Sequence, residues 1–340
     1  MGTAAAGEEG RPFLLGADLS ALARVEASGG MFRDDGKPED IVRILARHGF
    51  NAVRLRLWHT PAESLDGLGA ALATAGRCRE AGFELILDLH YSDTWADPGR
   101  QEKPRAWASG KALEDSVYRY TRDAVGAFVR AGAPPGLVQL GNEIVNGMLW
   151  DEGRVGGSFD GWDVLSRCLR AGARGVREAA PDARIVIHVP GNRTAVRFFD
   201  RLAEEDVPFD VIGLSYYPWW HGSMEDLGAV LRDLRGRYRK DVMVVETAYP
   251  WTLEHFDDVH NVVGLGSQLM PGFPASPEGQ DAFLKAVVDT VTNVPGGQGV
   301  IYWAPEWISV PGFGSPWENA GLFDRSGKLL PAARGLRPMR

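Results

Sequence analysis

The sequence predicts an α/β protein that folds as a single (β/α)8 TIM barrel. Eight short β-rich runs recur along the chain, helix-like segments separate them, and most runs are almost continuously apolar. Continuously apolar strands are typical of a parallel sheet covered on both faces, and eight strand–helix units close such a barrel. A doubly wound sheet is the alternative, but the first run leads into GADLSALARVEASGG, which is not a glycine-rich phosphate loop.

The predicted strands, in chain order, span residues 13–20, 52–58, 84–90, 137–143, 184–189, 210–217, 242–248 and 300–306. Helical spacing of apolar residues marks the segments between them, for example PEDIVRILARHG, GLGAALATAGRCREAG and DAFLKAVVDTVTNV. Gly49 and Gly82 lie where the first two of these helices should end. The segments after strands 3, 4, 7 and 8 are long, which suits a barrel that carries its site on those loops.

The chain divides into a flexible N-terminal segment, residues 1–12, and one catalytic barrel domain, residues 13–340. Its formal net charge of −8, without a basic block, argues against nucleic acid as a partner. No apolar run is long enough to span a membrane. We expect a monomer.

The remaining sequence features concern the compartment and the thiols. The opening MGTAAAGEEG does not resemble a signal peptide. We expect a secreted protein whose leader is absent from this sequence, with a cytoplasmic location as the alternative. Cys78 and Cys168 are expected to be buried free thiols, and a disulfide between them is the alternative.

Polar and aromatic residues collect at the ends of the predicted strands. In a barrel of this kind the chemistry lies at the carboxyl ends of the strands. A full ring of such residues at these positions indicates an active site rather than chance: Asp18, Arg54, Arg56, Asp88, His90, Asn142, Glu143, Tyr216, Tyr217, Glu246, Trp303 and Glu306.

Tryptophan follows the same distribution. Of eleven tryptophans, all but Trp162 fall at a predicted strand end or in the loop after it. Flat aromatic surfaces bind the C–H faces of sugars, and tryptophan offers the largest such surface. The pattern therefore favours a carbohydrate substrate.

Two glutamates are placed for glycoside hydrolysis. Glu143 closes strand 4 and Glu246 closes strand 7, across the mouth of the barrel from each other. This chemistry needs two carboxyl groups, one holding a proton and one ionised and placed to attack. A neighbouring tyrosine or arginine would keep the second one charged.

At these residues the sequence resembles glycoside hydrolase family 53, the endo-β-1,4-galactanases. The resemblance runs along nearly the whole chain and includes GADLS, HGFNAVRLRLW, LDLHYSDTWADPGRQEKPRAW, LGNEIVNGMLW, DVIGLSYYPWW, VVETAYPWT and YWAPEWI. It implies endo-acting, retaining hydrolysis of β-1,4-galactan or type I arabinogalactan on a (β/α)8 barrel, with no cofactor required for the chemistry.

The resemblance also implies the residues that act. Glu143 would be the acid/base and Glu246 the nucleophile. Arg54 and Tyr217 would support Glu246, although Arg56 and Tyr216 remain alternatives. Asn142 would bind the sugar 2-hydroxyl. Further sugar contacts are expected from Asp88, His90, Trp95 and Trp303, and a groove face from Trp107.

Bacterial members of the family carry a structural calcium ion between the loops after strands 7 and 8. The resemblance implies a matching site here, although the spacing around His260 departs from the family's pattern. The expected ligands are Asp257, His260, Asn261, Ser315 and Glu318, with Glu254 nearby. Oxygen-rich loops suit a hard cation.

Three other functions fit parts of the pattern. The same chemistry could act on mannan or xylan. A non-catalytic carbohydrate-binding barrel would keep the tryptophans, but both carboxylates are present. A metal-dependent hydrolase would want an HxH pair at the end of strand 1, where the sequence has ADLS.

Overall fold

The computed structural model describes residues 11–334 and contains the predicted barrel. Eight parallel strands close on themselves, with β1 paired to both β2 and β8. In chain order these strands are β1 Leu14–Asp18, β2 Ala52–Leu57, β3 Glu84–Leu89, β4 Leu137–Leu140, β5 Arg184–Pro190, β6 Val211–Tyr216, β7 Asp241–Thr247 and β8 Gly297–Tyr302. The prediction of a single (β/α)8 barrel is confirmed.

Helices cover the outside of the barrel. They are α1 Leu22–Ala27, α2 Ile41–Arg47, α3 Leu68–Glu80, α4 Lys111–Arg130, α5 Trp162–Ala179, α6 Arg193–Glu204, α7 Pro218–His221, α8 Met224–Tyr238 and α9 Pro277–Thr292. Gly49 and Gly82 follow α2 and α3 with φ of 93° and 84°, the left-handed conformation that glycine adopts at little cost. Among residues 11–334, no helix is long and apolar enough to cross a membrane.

The core has two parts because barrel strands alternate between inward and outward side chains. Outward-facing residues pack against the helices in one large cluster. Inward-facing residues fill the lower end of the barrel: Leu14, Ala52, Ile86, Leu137, Val186, Val211, Met243, Val245 and Ile301. This apolar plug makes the barrel a packed core rather than a pore. The polar inward-facing residues therefore lie above it, towards the carboxyl ends of the strands.

Two predictions about the chain as a whole have different outcomes. Cys78 and Cys168 are both buried and free, as expected, and burial raises the pKa of each thiol to about 12. The proposed flexible segment, residues 1–12, lies almost entirely outside the described residues, and the first strand begins at Leu14.

Candidate active site

A cleft of about 730 Å³ opens at the carboxyl ends of the barrel strands. Both predicted catalytic glutamates line it. The other lining residues include Trp95, Ala96, Asp97, Asn142, Asn146, Asn192, Thr194, Tyr217, Trp220, His221, Trp303, Trp307 and Trp317. Aromatic walls around a few polar groups are typical of a sugar-binding site.

Glu143 and Glu246 converge in this cleft. One carboxylate oxygen of each lies within 4.8 Å of the other, and a ring nitrogen of His188 lies within the same distance of both. Glu246 belongs to β7 itself. Strand β4 ends at Leu140, three residues earlier than predicted for that run, and Glu143 follows in a left-handed turn with φ of 49°. In this turn the Glu143 carboxyl group lies close to Glu246 and His188.

Arg54 is the charged centre beneath the pair. Its side chain is fully buried. Its Nη2 lies 2.9 Å from Glu246 Oε1 and 2.9 Å from Asp88 Oδ2, while Nη1 donates to Asp18 Oδ2 at 2.7 Å. Nη2 also donates to Asn142 Oδ1 at 2.8 Å. A buried guanidinium with several carboxylates around it is the arrangement that keeps such a charge stable away from water.

The structure decides between the two tyrosines. The Tyr217 hydroxyl donates to Glu246 Oε2 at 3.1 Å. Tyr216 instead donates to the carbonyl of Gly222 and stacks on Phe283 between barrel and helices. Both oxygens of Glu246 thus have a positively charged or hydroxyl neighbour, which favours its ionised form.

A chain of hydrogen bonds reaches Glu143 from the other side. Ser215 Oγ donates to Glu143 Oε1 at 2.6 Å, and His188 Nε2 lies 2.7 Å from Ser215 Oγ. Burial lowers the pKa of His188 well below its usual value, and the nearby Arg54 charge adds to this effect, so the imidazole is neutral. With Oε1 occupied by Ser215, Glu143 Oε2 is the oxygen left for an acidic proton.

The two glutamates share an unusual electrostatic environment. Desolvation raises the pKa of Glu143 to about 7, as expected for an acid/base residue. Burial also raises the pKa of Glu246, a shift that the sequence does not indicate. The Arg54 charge is the largest effect that lowers this pKa. Two carboxyl groups this close share one proton over a wide pH range. Because Arg54 and Tyr217 contact Glu246, the charge is favoured there and the proton on Glu143.

Comparison with known proteins identifies the family of this chain. The family model described as glycosyl hydrolase family 53 matches residues 14–336. The chain belongs to glycosyl hydrolase family 53. Among its relatives, an arabinogalactan endo-beta-1,4-galactanase of Cellvibrio japonicus is 39% identical, with 94% of this chain and 89% of the relative covered.

Solved structures give the same answer for the fold. A family 53 catalytic domain of Ignisphaera aggregans is 36% identical with a TM-score of 0.90, covering 96% of both chains. A structure from a study of two fungal beta-1,4-galactanases is 31% identical with a TM-score of 0.85, covering 94% of this chain and 97% of its own.

Two residues of this family 53 enzyme that the sequence predicts as sugar contacts lie outside the lining of the cleft. Asp88 and His90 are fully buried and do not line the cleft. Asp88 faces Arg54, and His90 Nδ1 accepts from the Trp58 indole and the Ala96 backbone, each at 3.2 Å. These contacts hold Arg54 and the Trp58 ring in place, and a direct contact of Asp88 or His90 with a sugar stays a prediction.

The tryptophans divide into two groups. Five of the eleven line the cleft, namely Trp95, Trp220, Trp303, Trp307 and Trp317. Trp107, expected on the groove, packs instead on Tyr91 and Tyr120 and donates to His59 Nε2 at 3.0 Å. Predicted contacts of Trp95, Asn142, Tyr217 and Trp303 with substrate remain predictions, and all four residues line the cleft.

The sequence reasoning missed three polar residues of the site. Gln139, His188 and Ser215 are fully buried. Gln139 Nε2 donates to Asp88 Oδ1 at 2.6 Å, and its Oε1 accepts from Arg54. Each is a lone polar residue inside an apolar strand, at a position facing the barrel interior. A polar residue at an inward-facing position of LVQL, RIVIHV and VIGLSYY is the sequence signal that could have indicated these site residues.

The predicted calcium ligands lie on two facing loops of the family 53 enzyme. Ser315 N donates to Asp257 Oδ2 at 2.8 Å and Phe256 N donates to Glu318 Oε1 at 2.6 Å. Asn261 Oδ1 and Glu318 Oε2 are buried acceptors without a hydrogen-bond partner among residues 11–334. Amide and carboxylate oxygens are ligand types that a hard cation takes. His260 is exposed, and calcium binding stays a prediction.

Proposed function

We propose that this enzyme hydrolyses internal β-1,4-galactosidic bonds of galactan or type I arabinogalactan with retention of configuration. The observation that supports the mechanism most directly is the close approach of the Glu143 and Glu246 carboxylate oxygens, within 4.8 Å. Retaining glycosidases hold their two carboxyl groups about 5–5.5 Å apart, whereas inverting enzymes leave room for a water molecule. The named activity of the Cellvibrio japonicus relative supports the substrate.

We propose one role for each group in the two steps of the reaction. The Glu246 carboxylate attacks the anomeric carbon while Glu143 Oε2 gives its proton to the leaving oxygen. A covalent galactosyl ester on Glu246 results, and the aglycone part of the chain leaves. Glu143, now ionised, takes a proton from water, and that water oxygen displaces Glu246 from the anomeric carbon. Asn142, bonded through Oδ1 to Arg54, is held at the cleft wall, where we propose that it contacts the 2-hydroxyl.

An extended surface beside the cleft supports action within long chains. A second depression, of about 970 Å³, lies between α6 and α8 and shares Asn192, Thr194 and His221 with the cleft. A polysaccharide bound at the Glu pair could therefore continue across the protein surface beyond it. We also propose that the enzyme is secreted, because a long polysaccharide substrate does not enter cells.

Digestion of a polysaccharide panel tests the proposed function. Unbranched β-1,4-galactan, mannan, xylan and cellulose are incubated with the enzyme and the products are separated by length. We expect short galacto-oligosaccharides from galactan alone, with a rapid fall in solution viscosity. Release of single sugars from chain ends would contradict endo action. Equal digestion of mannan or xylan would favour the alternative retaining endo-β-glycanase.

The pH profile should reflect the two carboxyl groups. Activity requires protonated Glu143, whose pKa is raised to about 7, so kcat/KM on galactan should fall as the pH rises through about 7. On the acid side it should fall as Glu246 becomes protonated. The Ser215 hydrogen bond lowers the pKa of Glu143. Ser215→Ala should therefore move the basic limb of the profile to higher pH.

A matched serine controls this measurement. Ser166 is fully buried on α5, away from the cleft, and Ser166→Ala should leave both limbs in place. A basic limb that stays fixed or moves to lower pH in Ser215→Ala would show that Ser215 does not donate to Glu143 in the working enzyme.

We also propose the calcium ion between the loops that carry Asn261 and Glu318. Binding to the folded state alone raises stability, so EDTA should lower the melting temperature by a few degrees and excess Ca²⁺ should restore it. Glu318→Gln should lose this response, whereas Glu225→Gln, an exposed residue of α8, should keep it. A melting temperature that is insensitive to EDTA in the wild type argues against the ion.

A further inference from the structure

Asp66 belongs to a closed ring of contacting side chains behind one wall of the cleft. It ends a short 3-10 turn, Ser64–Asp66, in the loop after β2. Its side chain is buried and does not line the cleft. Asp66 Oδ1 accepts from Arg56 Nη2 at 3.0 Å, and Oδ2 accepts from Arg24 Nη1 at 3.2 Å. One carboxylate thus holds two guanidinium groups.

Each of these arginines lies over aromatic rings. Arg56 Cζ is 3.6 Å from the centroid of Trp58 and 4.3 Å from that of Trp95. Arg24 Cζ is 4.1 Å from the centroid of Phe313. A guanidinium at such distances attracts the negative face of the ring and favours one ring orientation.

The aromatic rings complete the circle. Trp95 stacks on Trp307 with an interplanar angle of 13° and a centroid distance of 6.2 Å. Trp307 stacks in turn on Phe313 at 21° and 5.2 Å. Both tryptophans line the cleft, whereas Phe313 does not. The pair therefore contacts Arg56 directly at Trp95, and it reaches Arg24 through Phe313 at Trp307.

Arg56 depends on Asp66 for its charge balance. Its side chain is 3% exposed, and burial lowers the pKa of its guanidinium, with Asp66 as the largest opposing effect. Removing the Asp66 charge would leave a buried cation without its contacting carboxylate, which is costly. Arg56 would then move towards water and away from the Trp58 and Trp95 rings.

We propose that Asp66 is a positioning residue that fixes the Trp95–Trp307 pair in the orientation in which it lines the cleft and contacts the sugar chain. The inference rests on the proposed function, because it takes the ligand to be a β-1,4-linked galactan. Asp66 touches neither the Glu pair nor the cleft, so its loss should weaken binding of a chain that reaches the tryptophan pair and leave bond cleavage intact.

Affinity for an oligosaccharide tests this directly. In the Glu246→Gln background, which blocks turnover, titration calorimetry gives the Kd of β-1,4-galactohexaose. Asp66→Asn keeps the shape and removes the charge, and we expect binding about 3- to 20-fold weaker. With Glu246 intact, the same variant should raise KM for galactan by a similar factor while kcat stays within about twofold. An aryl β-galactoside, which occupies one sugar subsite, should be hydrolysed as by the wild type.

Asp34 provides a matched control. It is also buried and paired with arginine, since Arg47 Nη2 lies 3.0 Å from its Oδ2, but it does not line the cleft and lies outside the ring. Asp34→Asn should leave the hexaose Kd and the galactan KM unchanged. An equal loss in both variants would reduce the Asp66 effect to general destabilisation and overturn the proposal, as would an unchanged Kd in Asp66→Asn.

A second variant covers the case in which Asp66→Asn does not fold. Arg24 is partly exposed, so Arg24→Met is tolerated more easily and should weaken hexaose binding by a smaller factor. Unchanged affinity in a folded Arg24→Met protein then overturns the proposal. Failure of the wild type to digest galactan would refute the proposed substrate instead. The Asp66 measurement is then made on the glycan that the wild type does digest.

Discussion

Replacing Glu246 by glutamine is expected to lower kcat on galactan by about 10⁴-fold or more, because the attacking atom is lost. The amide keeps the size of the carboxyl group and can still receive the Tyr217 hydrogen bond. It cannot carry the negative charge that faces Arg54 at 2.9 Å or form the galactosyl ester. Steady-state rates of reducing-sugar release from galactan, compared at saturation, measure the effect.

A second buried carboxyl group controls for the fold. Glu306 is also fully buried, accepts from the Ala21 backbone at 2.9 Å and does not line the cleft. Burial raises the pKa of Glu306 well above its usual value, which favours the neutral carboxyl group, so an amide should replace it at small cost. Glu306→Gln should stay within about tenfold of the wild type. Comparable activity of Glu246→Gln and the wild type would remove Glu246 from its role as nucleophile.

Replacing Glu143 by alanine should give a loss that depends on the leaving group. General acid catalysis contributes about 10²- to 10⁴-fold, so activity on galactan should fall by that range. A dinitrophenyl β-galactoside needs no proton on its leaving oxygen, and its first step should be nearly as fast as in the wild type. The covalent ester should then accumulate, because water attack has lost its base. Stopped-flow absorbance should show a burst of dinitrophenol followed by slow turnover.

Added azide distinguishes this role from a general defect. A small anion that needs no base can enter the space left by Glu143 and attack the ester, so azide should speed turnover of Glu143→Ala. The product should be β-galactosyl azide, the retained configuration, identified by its proton NMR coupling. An α-azide, or a loss of activity that is equal for galactan and the dinitrophenyl galactoside, would rule out the assigned role.

Most of the fold could be predicted from the chain because its signals are local. Apolar runs of strand length separated by helical spacing specify a parallel barrel, and all eight predicted strands overlap the observed ones. The sequence pattern predicts an end of β4 that is three residues too late, because Gly141, Asn142 and Glu143 form a turn rather than strand. Gly141 has φ of 79° and Glu143 has φ of 49°, conformations that strand periodicity does not reveal.

The roles of neighbouring residues could not be predicted in the same way. Arg54 and Arg56 alternate with apolar residues on β2 and both face the barrel interior, so periodicity treats them alike. Arg54 lies two residues earlier on the strand and contacts Glu246, whereas Arg56 contacts Asp66 in the loop after β2. Tyr216 and Tyr217 are adjacent at the end of β6, where the exact end of the strand decides which side chain faces the axis.

The sequence by itself determined the barrel, the Glu143 and Glu246 pair at its carboxyl end and the aromatic surroundings of the site, because strand periodicity and strand ends are properties of short segments. Tertiary structure alone decided which cation contacts Glu246, that Asp88 and His90 lie below the cleft, and that Ser215 and His188 hold Glu143. These contacts join different strands: Arg54 meets partners 36 and 88 positions away, and Ser215 meets Glu143 across 72. Such pairings depend on how barrel closure staggers the strands along the axis, which no short segment of the chain encodes.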